Sequence, residues 1–319
     1  MRFDVFNGDA DGICSLLQLR LEHPETSRLV TGIKRDIALL ERVDAGQGDH
    51  ITVLDISMAK NAAALGRLLD AGAVIDYVDH HAPGEVPEHA NLSVAISEAP
   101  EVCTALLINA RLRGARVQWA IAGAFGDNLD EPAKLLAIKS GISERDMMRI
   151  KDLGVCVNYN GYGPSLADLH FHPEALYEAL YSAGEPLAFA ESDVYRQLRD
   201  GYASDIAASE ATYPLLELSG YAVYQLPNEA WARRVSGVFS NDLVRSYPKR
   251  AHAVLTEQDD GAFLVSVRAP FERRFGAERV CAQFESGGGR EAAAGINRLP
   301  ASELDAFIAA LDAEYGAGV

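Results

Sequence analysis

The sequence has no long hydrophobic run and little cysteine. No stretch approaches the roughly 18 uninterrupted apolar residues of a membrane span, so no membrane partner is expected. The start, Met1-Arg2-Phe3-Asp4, predicts an immediate strand rather than a signal peptide. The four cysteines are scattered and form no CxxC pair, which argues against a zinc-thiolate site. We expect a reduced, cytoplasmic protein.

Positive charge is also scarce. The 319 residues include 29 Lys and Arg against 46 Asp and Glu, a net charge of −17. A protein that grips long nucleic acid usually presents a broad basic surface, so no such partner is expected. Residues 233–298 are an exception, because 11 Lys and Arg outnumber 8 Asp and Glu there. A locally basic segment in an acidic chain suits a small anionic substrate.

The first half of the chain alternates apolar strands with amphipathic helices. Strands are predicted at 2–6, 28–31, 50–54, 73–78 and 92–96, and helices at 12–22, 58–70, 101–113, 117–126 and 131–140. This alternation predicts an α/β fold with a parallel sheet. Residues 143–182 are predicted to be mainly helical, with a break at 158–164.

A second, smaller α/β domain is predicted after a polar helical stretch. We divide the chain into residues 1–188, a helical linker at 189–214 and a domain at 215–319. The second domain should contain strands at 221–224, 251–256 and 262–268, a helix at 235–246 and a hairpin turn at 258–261. Its glycine run at 287–289 is interpreted as a loop, followed by a helix-forming segment at 291–294.

Carboxylates and histidines follow three of the predicted strands. Asp9 and Asp11 follow the first, Asp55 follows the third, and Asp79-His80-His81 follows the fourth. Ligands of open α/β sheets bind beyond the carboxyl ends of the strands, so these side chains should share one site. Each piece alone has an ordinary explanation, because Asp favours turns and helix caps.

A further apolar run ends at Asp127-Asn128, which alone indicates a buried helix closed by a turn. Taken together, Asp9, Asp11, Asp55, His80 and Asp127 form a mixed carboxylate and imidazole set that suits Mn²⁺ or a similar divalent ion. One carboxylate can bridge two ions about 3.5–4 Å apart, an arrangement that activates water for attack on phosphorus.

Four motifs resemble, in order, those of the DHH phosphoesterase superfamily: residues 6–12, 54–57, 79–81 and 126–128, read as FNGDADG, LDIS, DHH and GDN. Residues 266–268 (SVR) and 287–295 (GGGREAAAG) resemble its smaller DHH-associated C-terminal domain. The first motif is similar to that of RecJ-like exonucleases, and the length and layout are similar to oligoribonuclease-like members.

The resemblance implies a substrate cleft between two domains and a role for each motif residue. It implies two bound Mn²⁺ ions, replaceable by Mg²⁺ or Co²⁺, with Asp9, Asp11, Asp55, His80 and Asp127 as ligands. Asp55 is the implied bridge, His81 the contact to the substrate phosphate, and Asp79 a partner that orients a histidine. Contacts to the rest of the substrate are implied for Arg268, Gly287, Gly288, Gly289 and Arg290.

Three positions depart from the family pattern. Val5 stands where many members have a metal-binding His, and Asn7 stands where RecJ-like members have an Asp. Because an amide is a poorer ligand than a carboxylate, the occupancy of one metal position is left open. Arg290 replaces the usual His after the glycine run, which favours a terminal phosphate or carboxylate on the substrate.

The leading hypothesis is a Mn²⁺-dependent phosphodiesterase that hydrolyses short oligonucleotides or linear dinucleotides to mononucleotides. One alternative is a phosphomonoesterase or polyphosphatase acting on compact anions such as 3′-phosphoadenosine 5′-phosphate, polyphosphate or pyrophosphate. Another is a non-catalytic anion-binding regulatory protein. Cleavage polarity, RNA or DNA preference and oligomeric state, a homodimer included, are left open.

Overall fold

The computed structural model describes residues 1–316 and divides into two compact units, Met1–Tyr202 and Ala203–Val319. The division falls within the helix Asp193–Glu210, inside the stretch interpreted as a linker. No helix in the described part of the chain is long and apolar enough to cross a membrane.

The first unit is built on a five-stranded sheet in which every neighbouring pair of strands is parallel, in the order β2-β1-β3-β4-β5. The strands are β1 (Arg2–Phe6), β2 (Arg28–Val30), β3 (His50–Leu54), β4 (Val74–Asp79) and β5 (Leu92–Ile96). The predicted parallel α/β sheet is confirmed. Each predicted strand is present, with its ends shifted by one residue at most.

Helices cover both faces of this sheet. They are α1 (Ala10–Glu22), α2 (Ala62–Asp70), α3 (Thr104–Arg111), α4 (Val117–Gly126), α5 (Asp130–Lys139), α6 (Glu144–Asn160), α7 (Pro173–Ala183), α8 (Pro186–Phe189) and α9 (Asp193–Glu210). Successive strand residues face opposite sides, so Phe6 packs with Leu16 and Trp119 while Val5 packs with α2 residues such as Leu65. A break in the helical stretch was predicted at residues 158–164. The helix α6 continues to Asn160, so the break begins slightly later than predicted.

Close helix packing fixes the end of α4. A Cβ on Gly126 would lie 2.3 Å from the Cβ of Ala10, and a Cβ on Gly154 would lie 2.2 Å from the carbonyl oxygen of Ala122. Only glycine allows α1, α4 and α6 to approach this closely. The side chain of Asp127, the residue after α4, is thereby held beside the start of α1.

The second unit contains a six-stranded sheet in the order β10-β11-β9-β8-β7-β6, antiparallel except for the β7–β8 pair. Its elements are β6 (Pro214–Glu217), β7 (Tyr221–Leu226), α10 (Ala230–Ser246), β8 (Ala251–Glu257), β9 (Phe263–Arg268), α11 (Ala277–Cys281), β10 (Gly287–Arg290), β11 (Ala293–Leu299) and α12 (Leu304–Tyr315). The predicted hairpin between β8 and β9 is confirmed, with the amide of Gln258 donating to the carbonyl of Ala262.

The predictions for residues 287–294 are wrong in their secondary structure. The glycine run is the edge strand β10 rather than a loop, and residues 291–294 form a turn and the start of β11 rather than a helix. Four helix-favouring residues cannot nucleate a helix alone, and pairing of β11 between β10 and β9 outweighs alanine propensity. Gly289 has a φ of 149°, and a Cβ there would lie 2.5 Å from the Cα of Ala294, which explains the glycine.

Candidate metal centre

The carboxyl ends of β1, β3 and β4 bring the sequence motifs together. The Nε2 atom of His80 lies 3.4 Å from an oxygen of Asp55 and 3.8 Å from oxygens of both Asp11 and Asp127. Two sets of side chains hold potential ligand atoms within 4.8 Å of one another, Asp55 with His80 and His81, and Asp11 with His80 and Asp127. Three of the five predicted ligands therefore lie around a fourth, the imidazole of His80.

Helix N-termini fix the two carboxylates of the first motif. Asp9 caps α1, where its Oδ1 accepts hydrogen bonds from the amides of Asp11 (3.0 Å) and Gly12 (3.1 Å). The two oxygens of Asp11 accept from the amides of Thr104 (2.8 Å) and Ala105 (2.7 Å) at the start of α3. Helix N-termini favour negative charge, which explains how both carboxylates can be buried.

Asp55 adopts an unusual backbone conformation, with a φ of 59°. Its amide donates to the carbonyl of Val78 at 3.1 Å, and its Oδ1 accepts from the hydroxyl of Thr104 at 3.3 Å. A left-handed conformation is uncommon for a residue other than glycine and clusters at functional sites. Here it turns the side chain from the end of β3 towards His80.

The buried carboxylates of the cluster repel one another, because positive groups within the cluster do not balance their charge. Burial and the neighbouring Asp11 and Asp9 raise the pKa of Asp55 well above its usual range. Burial and the same two carboxylates raise the pKa of Asp127 to about 7. A bound cation would relieve this repulsion. The donor set of carboxylate oxygens and one imidazole fits a divalent ion such as Mn²⁺.

His81 lies beside this cluster on its open side. Its Nδ1 is 2.8 Å from Oδ1 of the buried Asp79, and that hydrogen bond raises the pKa of His81 despite partial burial. The ring is 46% exposed, whereas the His80 side chain is 20% exposed. Asp79 thus orients His81, and the ring faces solvent where a substrate could reach it.

Lys34 is a member of the site that the sequence reasoning missed. Its Nζ lies 2.6 Å from Asp9 Oδ2, 3.1 Å from Asn158 Oδ1 and 3.8 Å from Asp127 Oδ1. Burial alone would lower its pKa, but Asp9 raises it above the usual range, so the side chain is an ammonium. The sequence feature that could have indicated Lys34 is its position after β2, another strand whose carboxyl end lies at this edge of the sheet.

The predicted substrate residues of the second unit lie at one end of its sheet. Arg290 on β10 and Arg268 on β9 both pair in register with Ala293 of β11, which places them in one row across three strands. Arg268 also donates to Asn241 Oδ1 of α10 at 2.8 Å.

A pocket of about 230 Å³ opens beside this row, and the sequence predicted only part of its lining. Its lining includes Arg268 and also Asn241, Arg245, Phe271 and Arg274, while Arg290 is exposed on the edge strand. Three guanidinium groups and an aromatic ring suit a phosphorylated ligand. The signal in the sequence was the basic character of residues 233–298.

A larger pocket of about 520 Å³ in the first unit lies elsewhere. It is lined by residues at the amino ends of β3, β4 and β5, and it contains none of the clustered carboxylates. Its arginines are already paired, Arg20 with Asp4 and Arg111 with Asp76. This pocket is therefore separate from the clustered carboxylates, which lie at the opposite end of the sheet.

No protein-family model matches the sequence, and no curated protein sequence matches it. Solved structures do match. A DHH-domain protein described as a member of the s1p family of ribosomal proteins aligns over 98% of this chain and 86% of its own, at 13% identity and a TM-score of 0.64. An exonuclease RecJ bound to manganese aligns over 98% and 89%, at 17% identity and a TM-score of 0.63.

A third solved structure is a pGpG-specific phosphodiesterase from Vibrio cholerae, which aligns over 98% of this chain and 99% of its own, at 13% identity and a TM-score of 0.56. Likeness at these identities establishes a shared fold. The resemblance that the motifs indicated is confirmed at that level: the chain has the fold of DHH-domain proteins.

Proposed function

We propose that this protein is a metal-dependent phosphodiesterase that hydrolyses short oligonucleotides or linear dinucleotides to mononucleotides, with Mn²⁺ as the preferred ion. The observation that carries the proposal is the set of Asp11, Asp55 and Asp127 oxygens within 3.8 Å of His80 Nε2. The shared fold with a manganese-bound exonuclease and with a pGpG-specific phosphodiesterase supports it.

The residues of this chain have distinct roles in the proposed reaction. Asp11, Asp55, His80 and Asp127 would hold the divalent ion, which supplies Lewis acidity to a phosphoryl oxygen and to the attacking water. His81 is fixed by Asp79 and its pKa is raised, so it can donate a hydrogen bond to the same phosphoryl group. Lys34 adds a permanent positive charge at the opposite side of the cluster.

The second unit is proposed to hold the remainder of the substrate. Arg268 and Arg290 lie in one row of the sheet, and an arginine can make bidentate contacts with phosphate. Phe271 beside Arg268 is 54% exposed and offers a surface on which a base could stack. A contact of the glycine run with substrate stays a prediction, as do a cytoplasmic location and a homodimer.

The pocket of the second unit also favours one alternative. Arg245, Arg268 and Arg274 line a space of about 230 Å³ with a single aromatic ring, an environment suited to a compact polyanion. A phosphomonoesterase or polyphosphatase is therefore the second candidate. A non-catalytic anion-binding regulatory protein that lost a metal through Asn7 stays a further prediction.

The test is a substrate panel assayed with Mn²⁺, Mg²⁺ and Co²⁺ and with a chelator. It covers di- to pentanucleotides of RNA and DNA, 3′-phosphoadenosine 5′-phosphate, pyrophosphate and polyphosphate. We expect metal-dependent release of mononucleotides from the short chains. Turnover confined to the compact anions would favour the second candidate, and no turnover of any substrate would contradict both.

A matched pair of variants links activity to the site. Loss of partners that only orient metal ligands already costs 10–100-fold. Asp55→Asn, which removes a direct ligand, should therefore lower activity by more than about 100-fold. Asp76→Asn changes an acidic residue of the same sheet that pairs with Arg111 on the outside, and it should retain activity.

A further inference from the structure

The carboxylate of Asp9 is already fully engaged by the protein. Its Oδ1 accepts two backbone amides at the start of α1, and its Oδ2 contacts the Lys34 ammonium at 2.6 Å. Among the described residues, neither set of potential metal ligands includes Asp9. The fifth predicted ligand is therefore bound to a lysine in the structure.

Both the main chain and the ammonium of Lys34 have hydrogen-bond or ion-pair partners. Its amide donates to the carbonyl of Gly161 at 2.9 Å, and its carbonyl accepts from Nδ2 of Asn7 at 3.2 Å. Its ammonium lies among oxygens of Asp9, Asn158 and Asp127. The position of the Lys34 ammonium is therefore fixed by contacts at both the main chain and the end of the side chain.

The neighbouring residues are adapted to this loop. A Cβ on Gly8 would lie 1.9 Å from the carbonyl oxygen of Gly32, so only glycine lets the loop that carries Lys34 approach the first motif. Asn7 uses its amide to bind the Lys34 carbonyl and its Oδ1 to accept from the amide of Asp9. An aspartate at position 7 could not donate the first of these hydrogen bonds.

Val5 stands at the other position where the family pattern has a metal ligand. Its side chain is fully buried in the apolar core against the second face of the sheet. Of the two departures noted in the sequence, Val5 offers no ligand atom and Asn7 binds the main chain of Lys34.

Three of the remaining side chains, Asp11, His80 and Asp127, hold potential ligand atoms within 4.8 Å of one another, and Asp55 lies 3.4 Å from the same imidazole. Two atoms each about 2.1 Å from an octahedral ion lie about 3.0 Å apart when adjacent and about 4.2 Å apart when opposite. His80 Nε2 lies 3.4–3.8 Å from the oxygens of Asp55, Asp11 and Asp127, within that range. The other set, Asp55 with His80 and His81, draws on the same imidazole rather than adding a separate group of acidic ligands.

We propose that the ammonium of Lys34 takes the place of one cation of a two-metal site, so that Asp11, Asp55, His80 and Asp127 hold a single divalent ion. This inference rests on the metal centre of the proposed function and replaces the expectation of two bound Mn²⁺ ions. Lys34 then serves as a permanent counter-charge to Asp9.

The test counts Mn²⁺ ions on the full-length protein by native mass spectrometry and records the electron paramagnetic resonance spectrum at saturating Mn²⁺. Wild type should bind one ion per chain and give the spectrum of isolated Mn²⁺. Lys34→Met, which keeps the chain length and removes the charge, should bind two ions and give a spin-coupled spectrum. The control is Lys139→Met at the exposed end of α5, which should bind one ion.

The outcomes separate this inference from the proposed function. Two ions on wild type would show that metal displaces Lys34 and would overturn the inference while leaving the metal centre intact. A single ion on a folded Lys34→Met variant would also overturn it, because the lysine would then not be what excludes the second ion. Failure of both proteins to bind Mn²⁺ would contradict the metal centre itself.

Discussion

Each buried acidic side chain of the metal centre has a different neighbour. Asp9 would have a high pKa from burial alone, but Lys34 brings its pKa below the usual range. Asp11 accepts two backbone amides. Asp55 accepts from the hydroxyl of Thr104 and, among the described residues, has no lysine or backbone amide of this kind beside it, and burial with its acidic neighbours raises its pKa. Asp55 therefore depends most on a bound cation.

Stability should reveal this dependence without any substrate. A ligand that binds only the folded state at 100 times its Kd stabilises it by about 2.7 kcal/mol. Saturating Mn²⁺ should therefore raise the melting temperature of wild type, and a chelator should reverse the shift. Asp55→Asn should melt at the same temperature with and without Mn²⁺ in differential scanning calorimetry. An undiminished shift in that variant would remove Asp55 from the site.

The two arginines in one row of the second sheet should act on substrate affinity. Arg290→Met should mainly raise KM, by about tenfold, because the exposed side chain contributes about 1.4 kcal/mol of phosphate binding. Arg268→Met should have an effect of the same kind. Steady-state kinetics on a dinucleotide measures both. A fall in kcat at constant KM would assign the arginines to the reaction centre instead.

His252 on β8 predicts a pH dependence of folding. Burial, with Arg250 next, lowers its pKa to about 3, whereas an unfolded histidine titrates near pH 6.5. Between these values the unfolded state binds one more proton, so the free energy of unfolding falls as the pH drops. The loss from this group alone reaches about 2 kcal/mol at pH 5.

Urea unfolding of wild type and His252→Phe at pH 7.5 and pH 5 measures this contribution. The variant should lose about 2 kcal/mol less than wild type between the two pH values. An equal loss in both proteins would mean that His252 does not carry the effect.

At the level of elements, the site follows from parallel strands. The apolar runs before Asp9, Asp55 and His80 were recognisable as strands, and parallel pairing puts their carboxyl ends at one edge. The location of these three residues was therefore predictable. The strand β10 was not, because a glycine run has no hydrophobic period and its conformation is set by pairing with β11.

A buried ion pair and its hydrogen bonds join β1, α1 and β3 away from the metal centre. Asp4 of β1 accepts from Arg20 of α1 and from Ser27, and Arg20 also donates to Thr52 of β3. Asp4 is fully buried and Arg20 is nearly so. Asp4→Ala would remove the buried carboxylate from Arg20 and leave Glu25 as the acidic partner of the guanidinium.

This variant should lower the free energy of unfolding by about 3–5 kcal/mol in urea titrations. Its control is Glu131→Ala, which removes an exposed pair with Lys134 and should change stability by no more than about 1 kcal/mol. Equal effects of the two substitutions would contradict the structural role of the Asp4 pair.

For the whole molecule, the similarity to solved structures is one of fold rather than of sequence. Identities of 13–17% extend over 98% of the chain, so the fold is set by apolar periodicity and strand order rather than by particular side chains. The motif residues stand out because they sit where the strands end. Lys34, Asn158, Arg245 and Arg274 reach their sites through loops and helix faces, which leave no comparable pattern.

The central claim is that the converging carboxylates and His80 form a hydrolytic metal centre. Its most direct test is Mn²⁺-dependent hydrolysis of a linear dinucleotide by metal-free protein to which Mn²⁺ is added back. The account predicts release of mononucleotide that requires Mn²⁺ and that falls by more than about 100-fold in Asp55→Asn. Hydrolysis that proceeds equally in the presence of chelator, or equally in Asp55→Asn, would contradict it.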